Sequence, residues 1–135
     1  MGFVVSNIND LLPILIIQQN QEKKKSMDEE IEKKLFSNKW MARAEAAKEI
    51  GNLKIEDANK FLPELYKRLD KNYEKDEIVR VYVIKALAKL YDKEALNYLT
   101  EVSKDEKEKI IVLNEANKAI DEIKKHHKII EDKNN

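Results

Sequence analysis

Hydrophobic residues recur along most of this chain at the three- and four-residue spacing of amphipathic helices. No stretch shows the alternating pattern of a half-buried strand convincingly. Periodicity and capping residues predict helices at about 10–22, 27–36, 39–53, 58–71, 76–91, 93–103 and 106–128. The links between these segments are only a few residues long, so consecutive helices are expected to be antiparallel neighbours.

Two serines mark predicted helix starts. Ser26 is followed three residues later by Glu29, and Ser103 by Glu106. This spacing is typical of a capping box, in which the serine and glutamate side chains bond backbone amides left open at a helix start. The pattern therefore predicts that a new helix begins after each serine.

Three inner segments of the chain are similar to one another. Met41–Leu53 aligns with Ile78–Leu90 at an offset of 37 residues, and Ile111–Ile123 aligns with the second copy at an offset of 33. A shorter amphipathic segment precedes each copy. Repeats of this length are typical of stacked helix pairs, in which neighbouring units share one core.

This pattern resembles the HEAT-repeat family. The outer helix of a HEAT repeat often carries a proline, as Pro63 does here, and the inner helix follows a valine, arginine, alanine and leucine pattern such as that of residues 78–87. The third copy departs from it, because Leu113 occupies the arginine position. The resemblance covers about residues 27–124. It implies an all-α fold, a short right-handed α-α superhelix of about three helix pairs with an N-terminal capping helix.

The domain layout follows from the repeats. Residues 1–26 are predicted to be an apolar N-terminal segment with a capping helix, and residues 129–135 a frayed tail. Between them, residues 27–128 form the repeat domain, divided at about 27–54, 55–92 and 93–125. The helix predicted at 10–22, which carries an apolar run at 11–17, is expected to cover the open end of the first pair as a lid. The open alternatives are a dimer contact or membrane attachment. The run is too short to span a bilayer, which requires about 20 residues.

Composition narrows the range of functions. The chain has 26 basic and 26 acidic residues, so it has no net positive charge to attract nucleic acid. It has no cysteine, which excludes disulfides, zinc–thiolate sites and a thiol nucleophile. Gly2 and Gly51 are the only glycines, too few for a phosphate-binding loop. His126 and His127 point about 100° apart on a helix, which is a poor metal site, and are expected to be solvated. We therefore expect a cytoplasmic protein with no catalytic residues, cofactor or metal.

Three residues are predicted to have structural roles. Arg80 lies on an apolar helix side, and an unpaired buried guanidinium would cost several kcal/mol. The HEAT resemblance implies that Arg80, like its equivalent Arg43, lies over a repeat junction and pairs with a carboxylate, Asp76 or one in a neighbouring loop. Trp40 is expected to anchor the core or a repeat junction, with base stacking or ligand contact as the alternative.

The candidate recognition surface is a row of polar residues on the inner helices. Lys48, Lys85 and Lys118 occupy the same position in the three copies, and Asn52 and Lys89 lie one turn further on. These residues are expected to bind an acidic protein segment in preference to a phosphate backbone. The predicted function is a non-catalytic protein–protein interaction module or scaffold that uses its concave inner face. The alternatives are a nucleic-acid-binding helical-repeat protein and a peripheral membrane adaptor that uses residues 3–17. The oligomeric state stays open.

Overall fold

A computed structural model describes residues 7–134, and this part of the chain contains helices and turns but no strand. The helices are α1 (Leu12–Leu35), α2 (Trp40–Gly51), α3 (Ile55–Ala58), α4 (Leu62–Lys67), α5 (Glu77–Lys89), α6 (Ala95–Lys104) and α7 (Ile110–Asn134). Short 3-10 turns lie at Ile8–Asp10 and Asn59–Phe61. The predicted all-α fold is confirmed.

The helices form two layers of stacked pairs. Helices α2, α5 and α7 lie side by side as the inner layer, with α5 in contact with both of the others. The first pair is α1 with α2, the second is the α3–α4 segment with α5, and the third is α6 with α7. Helix α5 is buried on most sides, and Val79, Val83, Ile84 and Leu87 are fully enclosed. The middle pair is therefore the centre of the core.

Helices α2 and α5 approach each other very closely near their C-terminal ends. A Cβ atom added to Gly51 would lie 2.9 Å from the Cα of Ala86. Glycine is needed here because it has no side chain to separate the two helices, and Ala86 adds only a methyl group. Beside this contact, the Nζ atom of Lys89 donates a hydrogen bond to the Oδ1 atom of Asn52.

The first helix differs from the prediction of two separate segments. Helix α1 runs without a break from Leu12 to Leu35, so Ser26 lies inside it and caps no helix. The capping-box prediction is wrong there. Residues 14–35 contain no glycine or proline, and their many Gln, Glu and Lys residues favour a continuous helix. The domain boundary expected at residue 26 thus falls inside a helix, and residues 1–6 lie outside the described part.

The apolar start of α1 does not cover the first pair. Every residue from Leu12 to Met27 is exposed, and Leu12, Ile14, Leu15, Ile16 and Ile17 keep between 43% and 55% of their accessible surface. Helix α1 has 24 residues and α2 has 12, so α1 continues past the stack and does not fold back over it. The lid expected from residues 10–22 is absent from the described chain. None of the described helices is long and apolar enough to cross a membrane.

The outer helix of the second pair is broken into pieces. The sequence predicts one helix over 58–71, whereas the chain forms α3, a 3-10 turn and the short α4. Pro63 lies in the first turn of α4. Since proline donates no backbone hydrogen bond and disfavours a helical residue before it, the chain restarts the helix at this point.

The last helix starts later and ends later than predicted. The hydroxyl of Ser103 donates to the carbonyl of Thr100 inside α6, so Ser103 does not cap α7, and that capping-box prediction is wrong. Helix α7 begins at Ile110 and continues to Asn134. Residues 129–134 are therefore helical and do not form the expected frayed tail.

Candidate functional site

Two buried ion pairs join neighbouring helix pairs through the loops that precede α5 and α7. Arg43 of α2 holds the carboxylate of Glu74 through Nε and Nη2, both at 2.8 Å. Arg80 of α5 holds the carboxylate of Glu108 in the same two-pronged way, at 3.1 and 2.5 Å. Such bidentate pairs are among the strongest charge-assisted hydrogen bonds. Each arginine thus ties its own inner helix to the loop that precedes the next inner helix.

The two arginines also make equivalent backbone contacts. Arg43 Nη1 donates to the carbonyl of Ser37 at 3.0 Å, and Arg80 Nη1 donates to the carbonyl of Glu74 at 2.8 Å. Each arginine thus bonds the carbonyl six residues before it and the carboxylate of the next loop. Asp76, one of the partners proposed for Arg80, instead caps α5 by accepting from the amides of residues 78 and 79.

Glu74 accepts from a second guanidinium. Arg68 Nη1 lies 2.9 Å from its Oε1 atom, and the Arg68 guanidinium lies against the rings of Phe36 and Tyr73 at 5.4 and 5.1 Å. Burial alone would raise the pKa of Glu74, but hydrogen bonds from Arg43, the Asp76 amide and Arg68 hold that pKa below its ordinary value. Glu74 is therefore ionised at neutral pH. Sequence reasoning missed Glu74 and Arg68, because lone charged residues around a loop carry no distinctive pattern.

The predicted lysine row lies on the inner helices. Lys48, Lys85 and Lys118 are exposed on α2, α5 and α7, and no carboxylate of residues 7–134 lies within ion-pair distance of them. The Lys85 ammonium lies 5.6 Å from the ring centre of Tyr82. The three ammonium groups thus face solvent without an internal salt bridge.

A shallow groove between α5 and α7 contains part of this row. Its volume is about 280 Å³, and it is lined by Lys85, Ala88, Lys89, Glu115, Lys118, Ala119 and Glu122. The two alanines form a small apolar floor. Glutamates stand beside the lysines, so the groove offers both donors and acceptors. The sequence did not predict the contribution of Glu115.

The outer face has a larger cleft that sequence reasoning missed. It has a volume of about 720 Å³ between α4 and α6, and Tyr66 and Tyr98 stack within it with ring centres 4.5 Å apart. Burial, followed by the hydrogen bond to Asp92, raises the pKa of Tyr66. Lys71 and Asp105 pair at 2.7 Å along its lining. The available signal was the presence of a tyrosine in each of two successive outer helices, Tyr66 and Tyr98.

Trp40 and the histidines lie in surroundings that differ from the prediction. Trp40 begins α2 with 45% of its surface exposed, so it is not enclosed in the core. His126 stacks on Tyr91 with ring centres 3.7 Å apart, and His127 Nε2 lies 2.7 Å from the Tyr91 carbonyl oxygen. The histidines therefore pack against the end of α5. No group of three or more possible ligands among residues 7–134 could hold a metal ion.

These features define a helical-repeat protein whose units are stacked helix pairs joined by buried arginine–glutamate contacts. A family model for HEAT repeats matches residues 29–121, and the chain belongs to this family. HEAT repeats commonly mediate protein–protein interactions, and the family is generally a non-catalytic scaffold fold. No curated protein and no solved structure gives a significant match to the chain.

Proposed function

We propose that the chain is a non-catalytic interaction module that binds an acidic segment of a protein partner on its inner face. The observation that carries this proposal is the row of Lys48, Lys85 and Lys118, exposed on three neighbouring helices without internal salt bridges. Neighbouring helix axes lie roughly 8–10 Å apart. An extended segment that crosses the helices could therefore place one carboxylate near each lysine.

Lys89 and Asn52 extend the surface by one turn. The Lys89 ammonium bonds the neutral amide oxygen of Asn52. A carboxylate carries a full negative charge, so it attracts the Lys89 ammonium more strongly than a neutral amide oxygen does. A partner carboxylate can therefore replace the amide oxygen as the acceptor for Lys89 and leave the Asn52 side chain to bond the partner backbone.

The mixed charge of the groove favours a protein partner over a nucleic acid. Glu115 and Glu122 line the same groove as Lys85, Lys89 and Lys118. A phosphate backbone presents closely spaced negative charges, so it would bring phosphates close to both glutamates. A protein segment can alternate carboxylates with amide or hydroxyl donors and match both signs. A cytoplasmic location belongs to the same proposal.

The test is the double charge reversal of Lys85→Glu and Lys89→Glu. We expect the melting temperature to change little, because both side chains are exposed, and partner capture from the native cell extract to fall several-fold. The matched control reverses Lys33 and Lys107, which are exposed on α1 and in the α6–α7 loop. The control should capture the partner as the wild type does.

The rival readings give different outcomes. If the Lys85/Lys89 variant captured the partner as fully as the wild type, the interface would have to lie on the outer helices or on the N-terminal segment. A labelled single-stranded oligonucleotide serves as the nucleic-acid probe. If the chain retains this oligonucleotide and the binding weakens steeply with salt, the nucleic-acid alternative is supported instead. The logarithm of the binding constant should then fall against the logarithm of the salt concentration with a slope of about −0.7 for each phosphate contact.

A further inference from the structure

The exposed N-terminal turns of α1 carry apolar residues around the whole helix. Ile14, Leu15, Ile16 and Ile17 follow one another, and successive helical residues point about 100° apart. Burial of apolar surface contributes about 25 cal/mol per Å². Helices shorter than about 12–15 residues are also marginal in water without packing. This part of α1 therefore has a strong reason to pack against another surface.

One stripe of this region continues the buried face of the same helix. Ile31 and Leu35 are buried against the first pair, and Ile17 lies on the same side two helical repeats earlier. Ile14 extends the stripe to the first turn of α1, and Asp10 ends the 3-10 turn that precedes the helix. The side that packs against the chain's own core thus continues, uncovered, beyond the stack.

A small groove lies where α1 leaves the stack. Its volume is about 190 Å³, and Met27, Ile31 and Leu53 give it apolar walls. Lys23 and Lys24 also line it. Lys24 makes a 2.6 Å ion pair with Asp57 of α3. Asp28 and Asp57 line the groove as well, so its apolar walls are edged by charges of both signs.

The charges that bracket the apolar run show which partner fits. Asp10 precedes the run and Lys23, Lys24 and Lys25 follow it. Asp10 lies seven residues before Ile17, and Lys24 lies seven residues after it. Two copies of α1 packed antiparallel about Ile17 would therefore bring each Asp10 to the level of residues 23–25 of the other copy, where Lys24 pairs with Asp57 and Lys23 and Lys25 remain exposed. A parallel pair would instead place like charges together.

We propose that a second copy of this chain packs its α1 antiparallel onto this stripe. Ile14 and Ile17 form the apolar contact, and the start of each helix lies against the groove beside Lys23 and Lys24. The start of the run is polar, with Asn7, Asn9 and Asp10. These groups would be costly to place in a lipid bilayer, so the second copy fits better than a membrane.

Oligomeric state gives the first test of this pairing. The full chain should sediment as a dimer at high concentration and dissociate on dilution. Ile14→Gln with Ile17→Gln keeps good helix formers and should give a monomer at every concentration. The matched control is Ile129→Gln with Ile130→Gln, which changes two similarly exposed isoleucines on α7 and should leave self-association intact.

Disulfide trapping tests the orientation, because the chain has no cysteine of its own. An Ile17→Cys variant should form a disulfide dimer on mild oxidation. Asp10→Cys and Lys24→Cys should cross-link efficiently only when the two variants are mixed. Cross-linking of each variant with itself alone would indicate a parallel pair and overturn the proposal.

A vesicle assay separates the membrane alternative. Vesicles of phosphatidylcholine and phosphatidylserine should fail to co-sediment the wild-type chain. A chain that is monomeric at all concentrations would overturn the proposal. Vesicle binding that Ile14→Gln with Ile17→Gln abolishes would then assign the stripe to a lipid surface. None of these outcomes depends on the lysine row of the inner face.

Discussion

Arg43 and Glu74 face each other across the junction between the first and second helix pairs, with two nitrogen–oxygen distances of 2.8 Å. The Glu74 side chain is almost completely buried, and Arg68 holds the same carboxylate. Glu74→Gln removes the charge that two guanidinium groups share, and breaking a buried pair in this way costs about 3–5 kcal/mol. Urea unfolding followed by circular dichroism measures the loss.

The control for this change is Glu101→Gln on the exposed face of α6. That substitution should change the free energy of unfolding by less than about 0.5 kcal/mol. If Glu74→Gln cost as little as the control, the buried ion pair would not contribute to the stability of the junction.

The lowered pKa of Glu74 predicts a specific loss of stability in acid. A carboxyl group whose pKa is lower in the folded chain stabilises that state above its unfolded pKa, which is about 4.3 for glutamate. This contribution is lost as the pH falls through the lower, folded pKa. Urea midpoints measured from neutral pH to about pH 3 should fall less steeply in Glu74→Gln than in the wild type. Equal slopes would contradict the assignment.

Leu87 and Lys89 lie two residues apart on α5 but on opposite sides of the packing boundary. Leu87 is fully buried and Lys89 is exposed. Leu87→Ala should cost about 2–5 kcal/mol, because it removes buried methyl groups and leaves a cavity. Lys89→Ala should cost less than about 0.5 kcal/mol. Equal melting temperatures for the two variants would show that the faces of α5 are wrongly assigned.

Gly51→Ala should destabilise the chain although alanine is the better helix former. The new Cβ would meet the backbone of Ala86 at 2.9 Å, so α2 and α5 must separate. Overpacking of this kind costs about 1–3 kcal/mol. The helix-propensity gain offsets up to about 1 kcal/mol of that cost. Thermal unfolding should therefore show a lower melting temperature, and a higher one would exclude the close approach.

Tyr91 combines a strained backbone with a favourable stack. Its φ of 51° is positive, which is unusual for a bulky residue, and its amide and that of Asp92 close the end of α5. Tyr91→Ala loses the ring that contacts His126 but keeps the strained backbone. Tyr91→Gly loses the ring and relieves the strain, so it should be more stable than Tyr91→Ala by about 1 kcal/mol. Equal unfolding free energies for the two variants would contradict a strain at this position.

The repeats made the positions of the inner helices predictable. The cost of burying an unpaired charge made it predictable that Arg80 contacts a carboxylate. The offset between copies located α2, α5 and α7, because each must bury a similar apolar pattern against its neighbours. The need to pair Arg80 required a carboxylate at the junction. The sequence could not select Glu108 from the several charged residues of residues 105–109, since only the path of that loop decides which carboxylate reaches the guanidinium.

Local signals failed where the same pattern suits two structures. Ser26 and Glu29 fit a helix start, but they fit the surface of a continuous helix equally well. Trp40 is apolar and lies at a helix start, where its exposure depends on the neighbours that the fold supplies. His126 and His127 were predicted to be solvated, because the residue that they contact, Tyr91, lies far away in the sequence. Nothing local indicates that packing.

Glu74 gives the stack an unusual degree of coupling. Its carboxylate is held by Arg43 of the first pair, and its carbonyl accepts from Arg80, which in turn holds Glu108 at the third pair. In repeat arrays, the intrinsic stability of each unit and the interface between neighbours decide whether units melt separately. Here a local opening of the loop that carries Glu74 releases the contact with Arg43 of the first pair and one of the hydrogen bonds that hold Arg80 in place. Glu74 and Arg80 therefore add a polar chain of contacts to the apolar core that the three pairs share. Amide exchange in the three inner helices should accordingly share one opening event.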